Sequence, residues 1–194
     1  METVDKDGKG KFTPFETWLA WAGGSFLAGI CALVLSIAIV RWSGANEDRW
    51  MIPVLVPALV VFLGVAQALV LSMRLQRAAW WWVGVTAAGC GLSILILLLI
   101  STLGSNGNLN PAGITITLAL MIYGACTGIA QWLYLRRRWS RAIWWVPASI
   151  IGWALPGIIV GQVFTSPIQI TLVGLLPASV TGLLVAWWFS GSSN

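Results

Sequence analysis

The sequence predicts an all-α integral membrane protein with six transmembrane helices, and three observations carry this prediction. The chain of 194 residues is 58% hydrophobic and only 9% charged, whereas soluble domains have about 25% charged residues. Six apolar runs are each long enough to cross a bilayer, which requires roughly 20 residues. Lysine and arginine are concentrated in alternate connections between these runs, the pattern that orients membrane helices.

The six predicted spans form a single transmembrane domain over residues 17–189. A tail of residues 1–16 precedes this domain, and a tail of residues 190–194 follows it. The approximate bounds of the spans are residues 17–42, 50–73, 79–103, 113–135, 142–164 and 167–189.

Helix-start signals support three of the spans. In "TPFE", Thr13 is placed as the N-cap, Pro14 as the first helical residue and Glu16 where its side chain can reach back to the cap. "SPIQ" at 166–169 repeats this arrangement before the sixth span, and "NP" at 110–111 precedes the fourth. The polar stretch "GSNGNLNP", residues 104–111, predicts an aqueous loop between spans three and four.

The distribution of positive charge predicts that both termini are cytoplasmic. If all six runs span, nine of the 11 lysine and arginine residues lie on the side of the termini, and only Arg41 and Arg49 lie on the other. Because the arginines occupy short connections between the apolar runs, the expected partners are anionic lipid headgroups and not nucleic acid. The nine residues are Lys6, Lys9, Lys11, Arg74, Arg77, Arg136, Arg137, Arg138 and Arg141.

Tryptophan follows the same geometry. Eleven of the 14 tryptophans lie near the predicted cytoplasmic ends of the spans, where an indole can bury its ring and keep its N–H at the headgroup level. An interfacial belt is one interpretation, and a binding groove for a flat ligand or a lipid is the other. The residues expected to contact lipid or headgroups are Arg74, Arg77, Arg136, Arg137, Arg138, Arg141, Trp80, Trp81, Trp144 and Trp145.

An internal repeat links two pairs of spans. Residues 64–81, "GVAQALVLSMRLQRAAWW", align without gaps to residues 128–145, "GIAQWLYLRRRWSRAIWW". Each copy covers the end of one helix, a basic turn and the start of the next helix. The sequence therefore predicts two parallel helical-hairpin repeats, at about 57–103 and 121–164, with spans one and six flanking them.

The repeat carries a resemblance to known sequences. The pattern G-x-A-Q-W-L-x-L-R…W-W resembles that of uncharacterised multi-pass membrane proteins, seen especially in phototrophic bacteria. The first copy departs from the pattern at Ala68, where the second copy has Trp132. The resemblance implies a helical membrane fold in a bacterial inner or photosynthetic membrane, and it implies no activity.

The residue types argue against an enzyme. The chain contains no histidine, so histidine-ligated haem or chlorophyll is excluded, and no span has a charged residue in its middle. A carboxylate proton relay is therefore not expected. Cys31, Cys90 and Cys126 lie within apolar runs without ligand spacing, and they are predicted to be small buried apolar residues.

The polar and small residues inside the spans have two interpretations. Gln67 and Gln131 lie about one turn inside the membrane boundary, where an amide needs partners on other helices. Either these residues hold the bundle together, or together with Pro156 and Pro177 they line a substrate path. The other members of this intramembrane set are Tyr123, Thr127, Gly124, Gly128, Gly157 and Gly161.

The segment "DKDGKGKFTPFE", residues 5–16, resembles the calcium loop of an EF-hand. Asp5, Asp7 and Glu16 occupy loop positions 1, 3 and 12. Lys9 stands at position 5, where a ligand oxygen belongs, and only four residues precede the loop. The other interpretation is that its lysines supply cytoplasmic charge and that Glu16 caps the first helix.

Three functions remain open from the residues, and one of them is the calcium-responsive membrane protein that residues 5–16 would suggest. Another is a non-enzymatic structural or accessory subunit that packs helices, lipids or pigments in a larger membrane complex, photosynthetic or respiratory. Lipid, carotenoid or quinone are the ligands compatible with the absence of histidine. The third is a small transporter, channel or lipid-moving protein.

Overall fold

The computed structural model describes residues 13–75, 79–103, 112–139, 141–160 and 175–191. Within these ranges the regular structure is helical and includes no strand. A 3-10 turn at Ala142–Trp144 leads into the fifth helix. The helices are α1 (Pro14–Trp42), α2 (Glu47–Leu75), α3 (Trp81–Leu103), α4 (Ala112–Leu135), α5 (Trp145–Val160) and α6 (Leu175–Gly191).

The predicted capping box at the start of α1 is present. The backbone N–H of Thr13 donates to Oε2 of Glu16 at 2.7 Å, and the backbone N–H of Glu16 donates to Oγ1 of Thr13 at 3.2 Å. Pro14 is the first helical residue, as predicted. Glu16 is therefore engaged as a helix cap, while Asp5 and Asp7 of the calcium-loop hypothesis lie outside the described residues.

Four helices are long and apolar enough to cross a membrane. They contain the candidate spans Pro14–Trp42, Val54–Ser72, Trp81–Ile100 and Thr117–Leu135. The apolar segments of α5 and α6 are shorter. The outward-facing side chains are large and apolar, since Leu95 is 65% exposed and Leu183 is 61% exposed. A helix that is apolar on its exposed face as well as its buried face is suited to lipid.

The helices form a closed ring. Each helix packs against the next one in the chain, and α6 returns to pack against α1. The larger core cluster lies where α1, α3 and α5 begin and where α2 and α4 end, and we call this the tryptophan end. A smaller cluster joins α1 to α2 around Leu33 and Leu55. The ring therefore encloses an interior that residues of all six helices can reach.

Glycines permit the closest helix contacts. A Cβ atom at Gly124 would lie 2.7 Å from the backbone carbonyl oxygen of Ser149, and one at Gly157 would lie 2.6 Å from the Cα of Thr117. A Cβ atom at Gly128 would come similarly close to the side chain of Ser149. These three predicted packing residues all lie at the contact between α4 and α5, and Gly161 lies outside the described residues.

The cysteines follow the sequence prediction in two cases. Cys90 and Cys126 are buried, and both are free thiols. Cys31 is exposed on the outer face of α1, so its expected burial inside the bundle is wrong. An apolar run gives no direction to a single residue, and Cys31 shares this outer face with other apolar side chains such as Leu27 and Val34.

Replacement of Gly124 by alanine tests the α4–α5 contact. We expect Gly124→Ala to lower the free energy of unfolding by about 1–3 kcal/mol, because the new methyl group would overlap the α5 backbone. Gly91→Ala is the matched control, since nothing lies within 4 Å of a Cβ atom there. Thermal unfolding in mild detergent measures both, and a wild-type midpoint for Gly124→Ala would contradict the contact.

Candidate functional site

Three tryptophans meet in the interior of the tryptophan end. Trp21 on α1, Trp82 on α3 and Trp145 on α5 are 1%, 0% and 1% exposed. Their ring centroids are 6.1 Å apart for Trp21 and Trp82, 5.8 Å for Trp21 and Trp145, and 5.4 Å for Trp82 and Trp145. All three pairs are edge-to-face, the arrangement that the aromatic quadrupole favours. These residues form a tryptophan triad that closes the interior.

Each indole N–H of the triad donates a hydrogen bond to a neighbouring helix. Trp82 donates to Oε1 of Gln67 on α2 at 2.9 Å. Trp145 donates to Oε1 of Gln131 on α4 at 2.7 Å, and Trp21 donates to Oγ1 of Thr181 on α6 at 3.1 Å. The three acceptors are buried to the same degree, each 7% exposed. The triad thereby ties α1, α3 and α5 to the other three helices.

Gln131 connects two of these pairs. Its Nε2 donates to Oγ1 of Thr86 on α3 at 3.0 Å while its Oε1 accepts from Trp145. One amide therefore bridges α3, α4 and α5. Gln67 and Gln131 thus lie between helices in the interior, and both interpretations made from the sequence placed them facing other helices.

Buried residues of matching type also lie one helical turn to either side of the triad, hydroxyl residues on one side and aliphatic residues on the other. Four residues after the three tryptophans come the hydroxyl residues Ser25, Thr86 and Ser149, which are 5%, 2% and 2% exposed. Four residues after the three acceptors come Leu71, Leu135 and Val185, which are 1%, 0% and 0% exposed. The interior is therefore built of stacked layers, each with one residue from three helices.

A small cavity lies against Trp145 and the three acceptors. Its volume is about 30 Å³, and its lining includes Gln67, Thr86, Gln131 and Thr181. A buried water needs about 10–15 Å³ and two to four polar partners. The cavity can therefore hold about two waters, and it is too small for an organic solute.

Two further intramembrane residues singled out from the sequence also line this cavity. Tyr123 packs edge-to-face on Trp153 with centroids 4.6 Å apart. The hydroxyl of Thr127 donates to the carbonyl oxygen of Tyr123 at 2.7 Å. The predicted polar set of α4 therefore converges on one place, although its hydroxyl groups are partly occupied by the helix's own backbone.

In the part of the chain that the structure describes, no group of three or more histidine, cysteine, aspartate or glutamate side chains is arranged to hold a metal ion. The cavity lining offers amides, hydroxyls and indoles, which exchange hydrogen bonds and stay neutral. Such a site can order water or stabilise helix contacts.

The arginines that were expected to contact headgroups lie on the outside of the bundle wherever the structure describes their side chains. Arg136 stacks over the ring of Trp132, Arg138 over Tyr134 and Arg141 over Trp187, each with the guanidinium carbon 5.3–5.5 Å from the ring centroid. Arg137 is also exposed. The side chains of Arg74 and Arg77 lie outside the described residues. Stacked and exposed guanidinium groups of this kind remain available to phosphate.

Four tryptophans were expected at the lipid surface, and one of them is placed differently. Trp80, Trp81 and Trp144 are 52%, 72% and 59% exposed. Trp145 is 1% exposed, so its expected contact with lipid is wrong. Its indole N–H finds an acceptor in Gln131, and in hydrocarbon this partner replaces the headgroup water that a tryptophan at the interface would use.

Sequence reasoning missed Trp21 and Thr181 as the third pair. The signal that could have found Trp21 is the spacing of tryptophan and a hydroxyl residue: "WAGGS" at 21–25, "WVGVT" at 82–86 and "WVPAS" at 145–149. Thr181 lies outside this pattern. This pattern fixes only two residue types, so it does not identify a site by itself. It gains significance only because all three tryptophans meet.

The neighbouring tryptophans of α3 provide a test of the triad. We expect Trp82→Phe to lower the free energy of unfolding by about 1–3 kcal/mol, because Oε1 of Gln67 loses its donor and a gap opens in the core. Trp81→Phe, at an exposed neighbour, should change it by less than about 0.5 kcal/mol. Unfolding in detergent, followed by circular dichroism, measures both. Equal effects would contradict the burial of Trp82.

The two glutamines should differ in their contributions. Gln131→Met removes an acceptor for Trp145 and a donor to Thr86, whereas Gln67→Met removes only the acceptor for Trp82. Intramembrane hydrogen bonds average about 0.6 kcal/mol each, so we expect Gln131→Met to be more destabilising by about that amount. The same unfolding assay decides, and a larger effect of Gln67→Met would contradict the bridging role of Gln131.

Comparisons with known proteins assign no function to this site. No protein-family model, no curated protein and no solved structure matches the chain. The functional argument therefore rests on the residues and on the contacts that they make.

Proposed function

We propose that the protein is a non-enzymatic, six-pass membrane protein that acts as a structural or accessory subunit of a larger membrane assembly. The observation that carries this proposal is the closed interior. The tryptophan triad fills the axis of the helix ring, its N–H groups are bonded within the chain, and the cavity beside it is only about 30 Å³. Because the interior is filled in this way, we expect the protein to act through its outer surface.

The outer surface supports this role. Exposed aromatic side chains cluster near the tryptophan end, including Trp80, Trp81, Trp144 and Trp187. Exposed arginines stack on aromatic rings at the same end. Tryptophan and arginine are enriched where membrane proteins meet headgroups and where proteins meet other proteins. Lipids and other transmembrane subunits are therefore the proposed partners, with carotenoid or quinone as the ligands that need no histidine.

Six spans with both termini in the cytoplasm are part of the proposal. α5 and α6 are apolar but shorter than the other helices, and the turn Ala142–Trp144 extends α5 at its start. The ring requires α5 and α6 to stand beside the four longer helices, since α5 packs on α4 and α6 packs on α1. The excess of positive charge supports a cytoplasmic location for the tryptophan end, and the proposed membrane is a bacterial inner or photosynthetic membrane.

The hairpin repeat is also part of the proposal, in an extended form. The hydrogen bond from Trp82 to Gln67 and the one from Trp145 to Gln131 are the same contact in two helix pairs. The bond from Trp21 to Thr181 supplies a third, between α6 and α1. We infer three related units, α2–α3, α4–α5 and α6–α1, arranged around the interior.

A second candidate function is a path for water or a very small neutral solute. It is favoured by the convergence of Gln67, Thr86, Gln131 and Thr181 on a single cavity. A stopped-flow assay with reconstituted vesicles tests it, using Trp82→Ala to open the triad. Permeability equal to that of empty vesicles, for wild type and variant alike, would end this candidate.

Native purification tests the accessory role. The full chain, expressed at its natural level and extracted in mild detergent, should migrate with other membrane subunits or with a bound pigment or quinone. Mass spectrometry and absorption spectra identify what accompanies it. Trp144→Ala, at an exposed aromatic residue, should weaken this association, whereas Leu95→Ala, at an exposed aliphatic residue, should preserve it. Migration as a lone monomer without partner or pigment would contradict the proposal.

A further inference from the structure

A groove on the outer surface between α3 and α4 has features of a lipid site. Its walls are apolar, formed by Val85 and Ala88 of α3 and by Ala130 and Leu133 of α4. Tyr134 and two arginines, Arg137 and Arg138, border it at the tryptophan end. The groove has a volume of about 670 Å³, which lies within the range of ligand clefts, about 300–1,000 Å³.

Two alanines account for the depth of the groove. Ala88 and Ala130 stand on facing helices, where larger side chains would fill the space between them. α3 and α4 nevertheless remain in close contact, since a Cβ atom at Gly89 would lie 2.6 Å from the Cα of Thr127. The groove is therefore a stable depression between tightly packed helices, and a flexible apolar chain can lie along it.

The charges at one end of the groove determine which ligand fits. Arg137 and Arg138 are exposed at the turn that follows α4. Arg138 is held over the ring of Tyr134, with its guanidinium carbon 5.5 Å from the ring centroid. Of the carboxylate residues in the described ranges, Glu16 is engaged in the cap of α1, and Glu47 and Asp48 lie at the start of α2, at the opposite end of the bundle. The two guanidinium groups therefore lack an acidic partner there and suit a phosphate, which they can bind through paired N–H donors.

We propose that this groove binds one anionic phospholipid, with an acyl chain along Val85, Ala88, Ala130 and Leu133 and the phosphate at Arg137 and Arg138. Basic pockets between transmembrane helices on the cytoplasmic side are suited to anionic headgroups. A free phosphate would use the arginines but not the apolar walls, and an uncharged lipid would use the walls but not the arginines. The site rests on the membrane placement in the proposed function, but it requires no partner subunit.

Native mass spectrometry of the purified full chain tests the site. The protein is delipidated in detergent and titrated with phosphatidylglycerol or with phosphatidylcholine of the same acyl chains. Phosphatidylglycerol should remain as a single bound copy at collision energies that remove phosphatidylcholine. Added glycerol phosphate should not displace it, because the free headgroup lacks the acyl chain.

Two variants separate the parts of the site. Arg137→Gln with Arg138→Gln should weaken phosphatidylglycerol binding about 30-fold, the effect expected for two cations beside an anionic headgroup. Ala88→Phe should fill the groove and weaken binding of both lipids without changing the charge. Arg136→Gln with Arg141→Gln is the matched control, since it removes the same charge from the same connection but not from the groove.

The outcomes decide between specific binding of the lipid in the groove and nonspecific attraction of anionic lipids to the positive charges. Equal loss in the control double variant and in Arg137→Gln with Arg138→Gln would overturn the site in favour of nonspecific charge. Retention of phosphatidylglycerol by all variants, or displacement by glycerol phosphate alone, would also overturn it. Circular dichroism and thermal midpoints show that each variant is folded. Because no partner is present, the outcome is independent of whether the protein is found in a larger complex.

Discussion

The fold depends on satisfying three indole N–H groups in an interior without bulk water. A polar group left unpaired in hydrocarbon costs several kcal/mol, so a tryptophan at the centre of a helix ring requires an acceptor from another helix. Gln67, Gln131 and Thr181 meet this requirement. The rings themselves fill the axis by edge-to-face contact. Packing and hydrogen bonding are therefore combined in the same three residues, and changing one tryptophan disturbs both.

Much of the helical framework could be predicted from the sequence, because length and apolarity determine it directly. The run at 17–42 became α1 at Pro14–Trp42, and the run at 79–103 became α3 at Trp81–Leu103. The capping residues around Thr13 were also identifiable, because the capping box is a local motif. The glutamines were expected to face other helices for a similarly general reason, which is the cost of burying an amide without a partner.

The relation of the tryptophans could not be predicted in the same way. A gapless alignment pairs Trp81 with Trp145. In the structure, however, Trp82 is the residue that makes the contact equivalent to that of Trp145. The difference of one residue arises in the connection, because 15 residues separate Trp82 from Gln67 and 14 separate Trp145 from Gln131. One residue rotates a position by about 100° around a helix, so this small change decides whether an indole faces lipid or core. The preference of tryptophan for interfaces led to the same expectation of lipid contact for Trp145 as for Trp80, Trp81 and Trp144.

The third pair shows how a short side chain can replace a glutamine. A threonine hydroxyl extends less far from its helix than a glutamine amide, so the indole of Trp21 must lie close to the α6 backbone to reach Thr181. Gly182, the residue after Thr181, permits this approach, since a Cβ atom there would lie 3.0 Å from Cδ1 of Trp21. Trp18 adds a second tie by donating its N–H to the carbonyl oxygen of Ser179 at 3.2 Å. The ring can close between its first and last helices because a small residue and a short acceptor stand side by side there.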